Sequence, residues 1–65
     1  MSREERVKVL RARLANKMGL VRILEEGLPQ TRDMEKRIEM IETSRTLESE
    51  VDDIVSLLKA MGEEV

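Results

Sequence analysis

The chain predicts an all-α fold: an antiparallel helical hairpin that associates as a four-helix bundle or coiled-coil dimer. Three observations carry this. Apolar residues recur three and four apart through two long segments. One breaker stretch, Gly27, Leu28, Pro29 and Gln30, separates them. The composition is 40% charged and 40% hydrophobic, with no aromatic residue, one proline and three glycines, a profile of long helices and coiled coils.

Helix 1 spans about 2–26. Ser2 followed by Glu5 reads as a capping box, in which the serine hydroxyl and the glutamate side chain satisfy amides at the helix start. Two apolar seams then run along the segment. One is Val7, Leu10, Leu14, Val21, Leu24 and Leu28, with Lys17 in register; the other is Val9, Ala12, Gly19 and Ile23, with Asn16 in register. At about 100° per residue the two stripes lie almost opposite each other, so one helical partner covers only one of them. Gly19 costs roughly 1 kcal/mol relative to alanine inside a helix. Its place beside Ala12 gives it a packing reason, close approach of another backbone, and the helix is expected to continue through it.

The turn occupies 27–31 and helix 2 about 32–62, with Thr31 as N-cap, Asp33 in the first turn and Gly62 at the end. Its apolar face shifts along its length. Met34, Ile38 and Ile41 form one stripe; Met40, Leu47, Val51, Ile54, Leu58, Met61 and Val65 form another, with Thr43, Ser44 and Arg45 at the change. Counting outward from the turn pairs Leu24 with Met34, Val21 with Ile38, Lys17 with Ile41, Leu14 with Ser44 and Val7 with Val51. That register leaves Leu57, Leu58 and Met61 beyond the end of helix 1, without cover from their own chain.

Sixty-five residues form one small domain over 1–65. A domain of that size buries only about 60% of its unfolded surface. There is no cysteine for a disulfide and no histidine for a zinc site. Oligomerisation is the remaining stabilising device. The expected interface between chains is Val9, Ala12, Gly19 and Ile23 of helix 1 with Ile54, Leu57, Leu58 and Met61 of helix 2, with helix 1 toward the bundle centre. No secretory signal and no membrane-length apolar run is present. A soluble, cytoplasmic protein is therefore expected, and the lack of cysteine is compatible with a reducing cytosol.

Charge is unevenly divided. Residues 1–24 carry seven bases against two acids, and residues 25–65 five bases against twelve acids. Such halves suit each other as partners, with Arg6, Arg13 and Lys17 on one flank of helix 1 and Lys8, Arg11 and Arg22 on the other. Lys17, alone among apolar neighbours, is expected to specify register or oligomeric state and to reach an acid such as Glu42. The basic segment also supports an alternative, a small RNA- or DNA-binding regulator, with Lys8, Arg11 and Arg22 as its polyanion contacts. Aromatic side chains for stacking bases are absent. The RNA-binding plasmid copy-number hairpins are similar in size and architecture, an analogy of shape alone.

Catalytic chemistry finds little support. Histidine, cysteine and tyrosine are all missing, and no serine or threonine stands out beside a base. Glu35, Glu39 and Glu42, and Glu48 with Asp52, have helical spacings that could offer oxygens to a cation such as Mg²⁺. They read instead as a solvated face. The string Glu50, Val51, Asp52, Asp53, Ile54, Val55 resembles the second-helix motif of the small sporulation aspartyl-phosphate phosphatases, which are helical hairpins. The resemblance covers six residues. Glu48 and Ser49 stand where that family has serine and glutamine, so no site is carried over. A helical-hairpin phosphatase or metal-dependent enzyme is the third reading; no cofactor is expected. The first is a non-catalytic oligomerisation and protein-interaction module that recognises itself, as a homodimer or higher oligomer, or another helical protein.

Overall fold

The computed structural model describes residues 2–65. Two helices lie side by side: α1, Arg3–Gly27, and α2, Met34–Ala60, joined by a 3-10 turn at Leu28–Gln30. The molecule is a rod of 46 × 19 × 14 Å. Helix α1 starts where its sequence indicates, and the serine half of the expected capping box is present: the Ser2 hydroxyl accepts from the Glu5 amide at 3.2 Å. It runs unbroken through Gly19. Pro29 sits in the first positions of the 3-10 turn, where its missing N–H costs no helical hydrogen bond.

Helix α2 is capped by Asp33, not by Thr31. The Asp33 carboxylate accepts from the Glu35 amide at 2.9 Å and the Lys36 amide at 3.4 Å, so one side chain satisfies two free donors. Thr31 serves the other helix: its hydroxyl donates to the Gly27 carbonyl at 2.9 Å. At the far end Gly62 takes φ 81°, a left-handed conformation that glycine adopts without a Cβ clash. The Glu63 amide then bonds to the Leu58 carbonyl at 3.0 Å and the Gly62 amide to Lys59 at 2.9 Å, a Schellman ending.

The packed seams have a three-four rhythm on both helices. On α1 the half-buried seam is Val7, Leu10, Leu14, Lys17, Val21, Leu24 and Leu28, the first seam of the sequence. On α2 the packed seam is Arg37, Met40, Ser44, Leu47, Val51, Ile54, Leu58 and Met61. The second apolar stripe of α2 thus continues straight through Ser44 to Arg37. It does not give way to Met34, Ile38 and Ile41, all three of which are exposed.

The register differs from the expected one. Lys17 is ion-paired with Glu50, not set against Ile41 or Glu42, so α2 is displaced by the nine positions from 41 to 50. Gly27 lies beside Met40: a Cβ there would sit 3.1 Å from the methionine methyl. Arg3 reaches the Met61 carbonyl. No uncovered end of α2 results, and its first turn stands beside the connecting turn. Leu47, Val51, Ile54, Leu58 and Met61 outweigh Met34, Ile38 and Ile41 in apolar area, and only the displaced register covers all five. Leu58, 0% exposed, and Ile54, 7% exposed, are therefore core residues of their own chain, where the sequence had placed them between chains.

An added Cβ at Gly19 would meet no atom within 4 Å. Gly19→Ala should therefore stabilise the helix by up to about 1 kcal/mol, measured as a higher midpoint in chemical denaturation at equal protein concentration. A loss of stability would place another backbone against this position.

Candidate functional site

Three features carry charge or exposed apolar surface: a clamp at the C-terminal end, an open groove between the helices and an apolar patch at the turn. The clamp follows from the Schellman ending, which turns the chain back toward the start of α1. There Arg3 donates to the Glu63 carboxylate at 3.0 Å and Arg11 at 3.2 Å, while Arg11 also donates to the Glu64 carbonyl at 3.0 Å. The Arg11 hydrogen bond, then that of Arg3, holds the Glu63 carboxyl below its ordinary value. Arg11 is thereby engaged within its own chain. Lys8 and Arg22, the other two residues expected to contact a polyanion, are exposed and form no ion pair among the described residues.

Because the folded Glu63 pKa is depressed, its contribution to holding the tail is complete above the unfolded value, near 4.5. It is lost as pH falls through the lower folded value. Carboxyl NMR titration should find the Glu63 midpoint below 4.5, and Arg11→Gln should move it upward. An unmoved midpoint would remove Arg11 as the cause.

The groove, about 380 Å³ and open to solvent, is lined by Leu10, Arg13, Asn16 and Lys17 from α1 and Glu50, Asp53, Ile54 and Leu57 from α2. Its α1 wall is cationic and its α2 wall anionic. Lys17 and Glu50 meet across it in an ion pair. The flank on this side is also apolar: Val9 is 38% exposed, Leu20 42%, Ile23 66% and Leu57 53%. Among the residues expected at an interface between chains, Val9, Ala12, Gly19, Ile23 and Leu57 are exposed, Met61 is half-buried, and Ile54 and Leu58 are internal. Leu20 joins the exposed set. The reading by seams passed over it, although its three-residue spacing from Ile23 was visible.

At the opposite end Met34, Ile38 and Ile41 form an exposed stripe on the first turns of α2. Beside it Arg37, on the packed seam, bends back to donate one guanidinium nitrogen to the Leu28 carbonyl at 2.7 Å and the Thr31 carbonyl at 3.0 Å. It thus adds a second hydrogen bond to the Leu28 carbonyl, which also accepts from the Thr31 amide at 3.2 Å, and ties the connecting turn to the start of α2. The acidic helical spacings do not converge. Among the described residues no group of three or more carboxylates is placed to hold a metal ion. No helix among them is long and apolar enough to cross a membrane.

Lys17 occupies a core position but keeps its ammonium at the groove edge, on Glu50. Replacing it with leucine adds apolar area to the seam, while the half-exposed Glu50 stays solvated. Lys17→Leu should melt higher, by about 1–2 kcal/mol of stability. It should also become heterogeneous in mass, because a polar core residue helps select one packing. A variant that is less stable would show that the ion pair outweighs the burial gained.

Comparisons with known protein families, with curated proteins and with solved structures find no match to this chain.

Proposed function

We propose that this chain is a non-catalytic helical oligomerisation and protein-interaction module, and that its first partner is a second copy of itself. One observation carries the reading. With both packed seams used, Ile54 and Leu58 are the only buried apolar residues among those described, while Val9, Leu20, Ile23 and Leu57 stand in solvent. A fully buried Leu or Ile contributes about 1.5–3 kcal/mol. Two such side chains and a half-buried seam are a small core for a chain that has no disulfide to support it. Covering the exposed set with a second hairpin makes a four-helix bundle, the layer architecture that amphipathic helices of this length reach.

The absence of histidine, cysteine and tyrosine supports a role without catalysis. Engagement of Arg11 by Glu63 and Glu64 removes one of the three bases that the polyanion alternative relies on. As part of the same reading the module works in the cytoplasm, a reducing compartment with which a cysteine-free chain is compatible.

Light scattering at several concentrations, with helicity followed by circular dichroism, tests this. The expected mass is at least twice the 7.5 kDa of one chain. A fully helical species of 7.5 kDa at every concentration would overturn the reading. Tight, steeply salt-dependent binding to nucleic acid would replace it with the polyanion alternative.

A further inference from the structure

We propose that the charged groove is the self-association face, and that two hairpins pack across it with α1 of each against α2 of the other. This rests on the self-association proposed above and specifies its surface and symmetry. The exposed residues of α1 on this side repeat every seven positions: Arg6, Arg13 and Leu20 form one row, and Val9, Asn16 and Ile23 the next. On α2 the corresponding rows are Thr43, Glu50 and Leu57, and Thr46 and Asp53. A seven-residue spacing returns to the same flank of a packed helix. All these residues therefore border the groove or continue its walls.

Two identical hairpins can lay this face on itself about a two-fold axis in two ways. With the axis across the rod, α1 meets the partner's α1 and α2 the partner's α2. Arg6 and Arg13 then approach a second cationic wall, and Glu50 and Asp53 a second anionic one. With the axis along the rod, α1 meets the partner's α2, and each cationic wall faces an anionic one. Like charges brought together oppose association and opposite charges favour it, so the charge pattern selects the second arrangement.

That arrangement also pairs the apolar residues. Rotation about the long axis keeps every residue at its own height. What lies across the groove in one chain therefore lies across the interface in the pair. Arg13 and Asp53 line the same stretch of groove, as do Leu10 and Leu57. Arg13 thus faces the partner's Asp53, and Val9, adjacent to Leu10, faces the partner's Leu57. Between the heights of the Lys17–Glu50 pair and the Gly27–Met40 contact, Leu20 and Ile23 meet the partner's Thr46 and Thr43, which offer methyl groups. All neighbouring helices run antiparallel. Each apolar residue exposed on this flank finds an apolar or methyl-bearing neighbour, and neither wall meets its own charge.

The test is a charge swap between chains, read by sedimentation and by native mass spectrometry of differently tagged copies. Arg13 and Asp53 are exposed, so both variants should keep the parent's helicity. Arg13→Glu alone and Asp53→Arg alone should each raise the dimer dissociation constant roughly ten-fold, because two symmetry-related contacts change from attraction to repulsion. Mixing the two variants should restore the parent affinity, in heterodimers. There the glutamate introduced in one chain faces the arginine introduced in the other, and the remaining native Arg13 faces the remaining native Asp53. If both variants dimerise like the parent, the groove is not the interface although self-association stands. If the mixture stays weak while a chain carrying both changes regains affinity, the pair acts within one chain and the proposed symmetry is wrong. A monomeric parent removes this inference together with the function it rests on.

Discussion

The apolar run Leu47, Val51, Ile54, Leu58 and Met61 has to lie against Val7, Leu10, Leu14, Val21 and Leu24, and the other features of the hairpin follow from that register. It sets the Schellman ending of α2 beside the first turns of α1, where Arg3 and Arg11 can reach Glu63. It brings Lys17 level with Glu50. At the other end it carries the first turn of α2 past α1 to the connecting turn, so that Arg37 can close the carbonyls of Leu28 and Thr31. A slip of one heptad would keep the three-four rhythm and lose all of these contacts.

Three polar residues occupy the packed seams, and each is accommodated differently. Lys17 lays its stem along the core and carries its charge to the groove edge, where an acid meets it. Arg37 stands where the seam runs out, and there its guanidinium donates to the Leu28 and Thr31 carbonyls of the connecting turn. Ser44, 8% exposed, is small enough to sit in the core, and no buried side-chain oxygen or nitrogen among the described residues is left without a partner. These residues lower the apolar content of the seam. They also make the correct register the one in which every polar group finds a place.

What the seams leave outside is organised. The flank of the groove carries opposite charges on its two walls and bulky apolar residues above and below them. Scattered exposed leucines are ordinary on a protein surface. Here Val9, Leu20 and Ile23 of α1 and Leu57 of α2 share one flank with the charges of the two walls. The proposed self-association grows from this coincidence of position, charge and exposure and not from hydrophobicity alone.

Much of this architecture was legible in the chain itself. Local rules determined it: Ser2 and Glu5 at the start of α1, the first seam, continuity through Gly19, and breaker residues at the turn. The register was not legible, because apolar spacing offers Met34, Ile38 and Ile41 as readily as Arg37, Met40 and Ser44. Only packing of the two helices against each other ranks the choices. The pairing of Lys17 with Glu50 and the burial of Ile54 and Leu58 within the chain follow from that ranking. So does the groove. Charge sign along each helix is a property of the sequence, but which bases stand across from which acids depends on the register, and tertiary structure sets the register by burying the largest apolar area that leaves no polar group stranded.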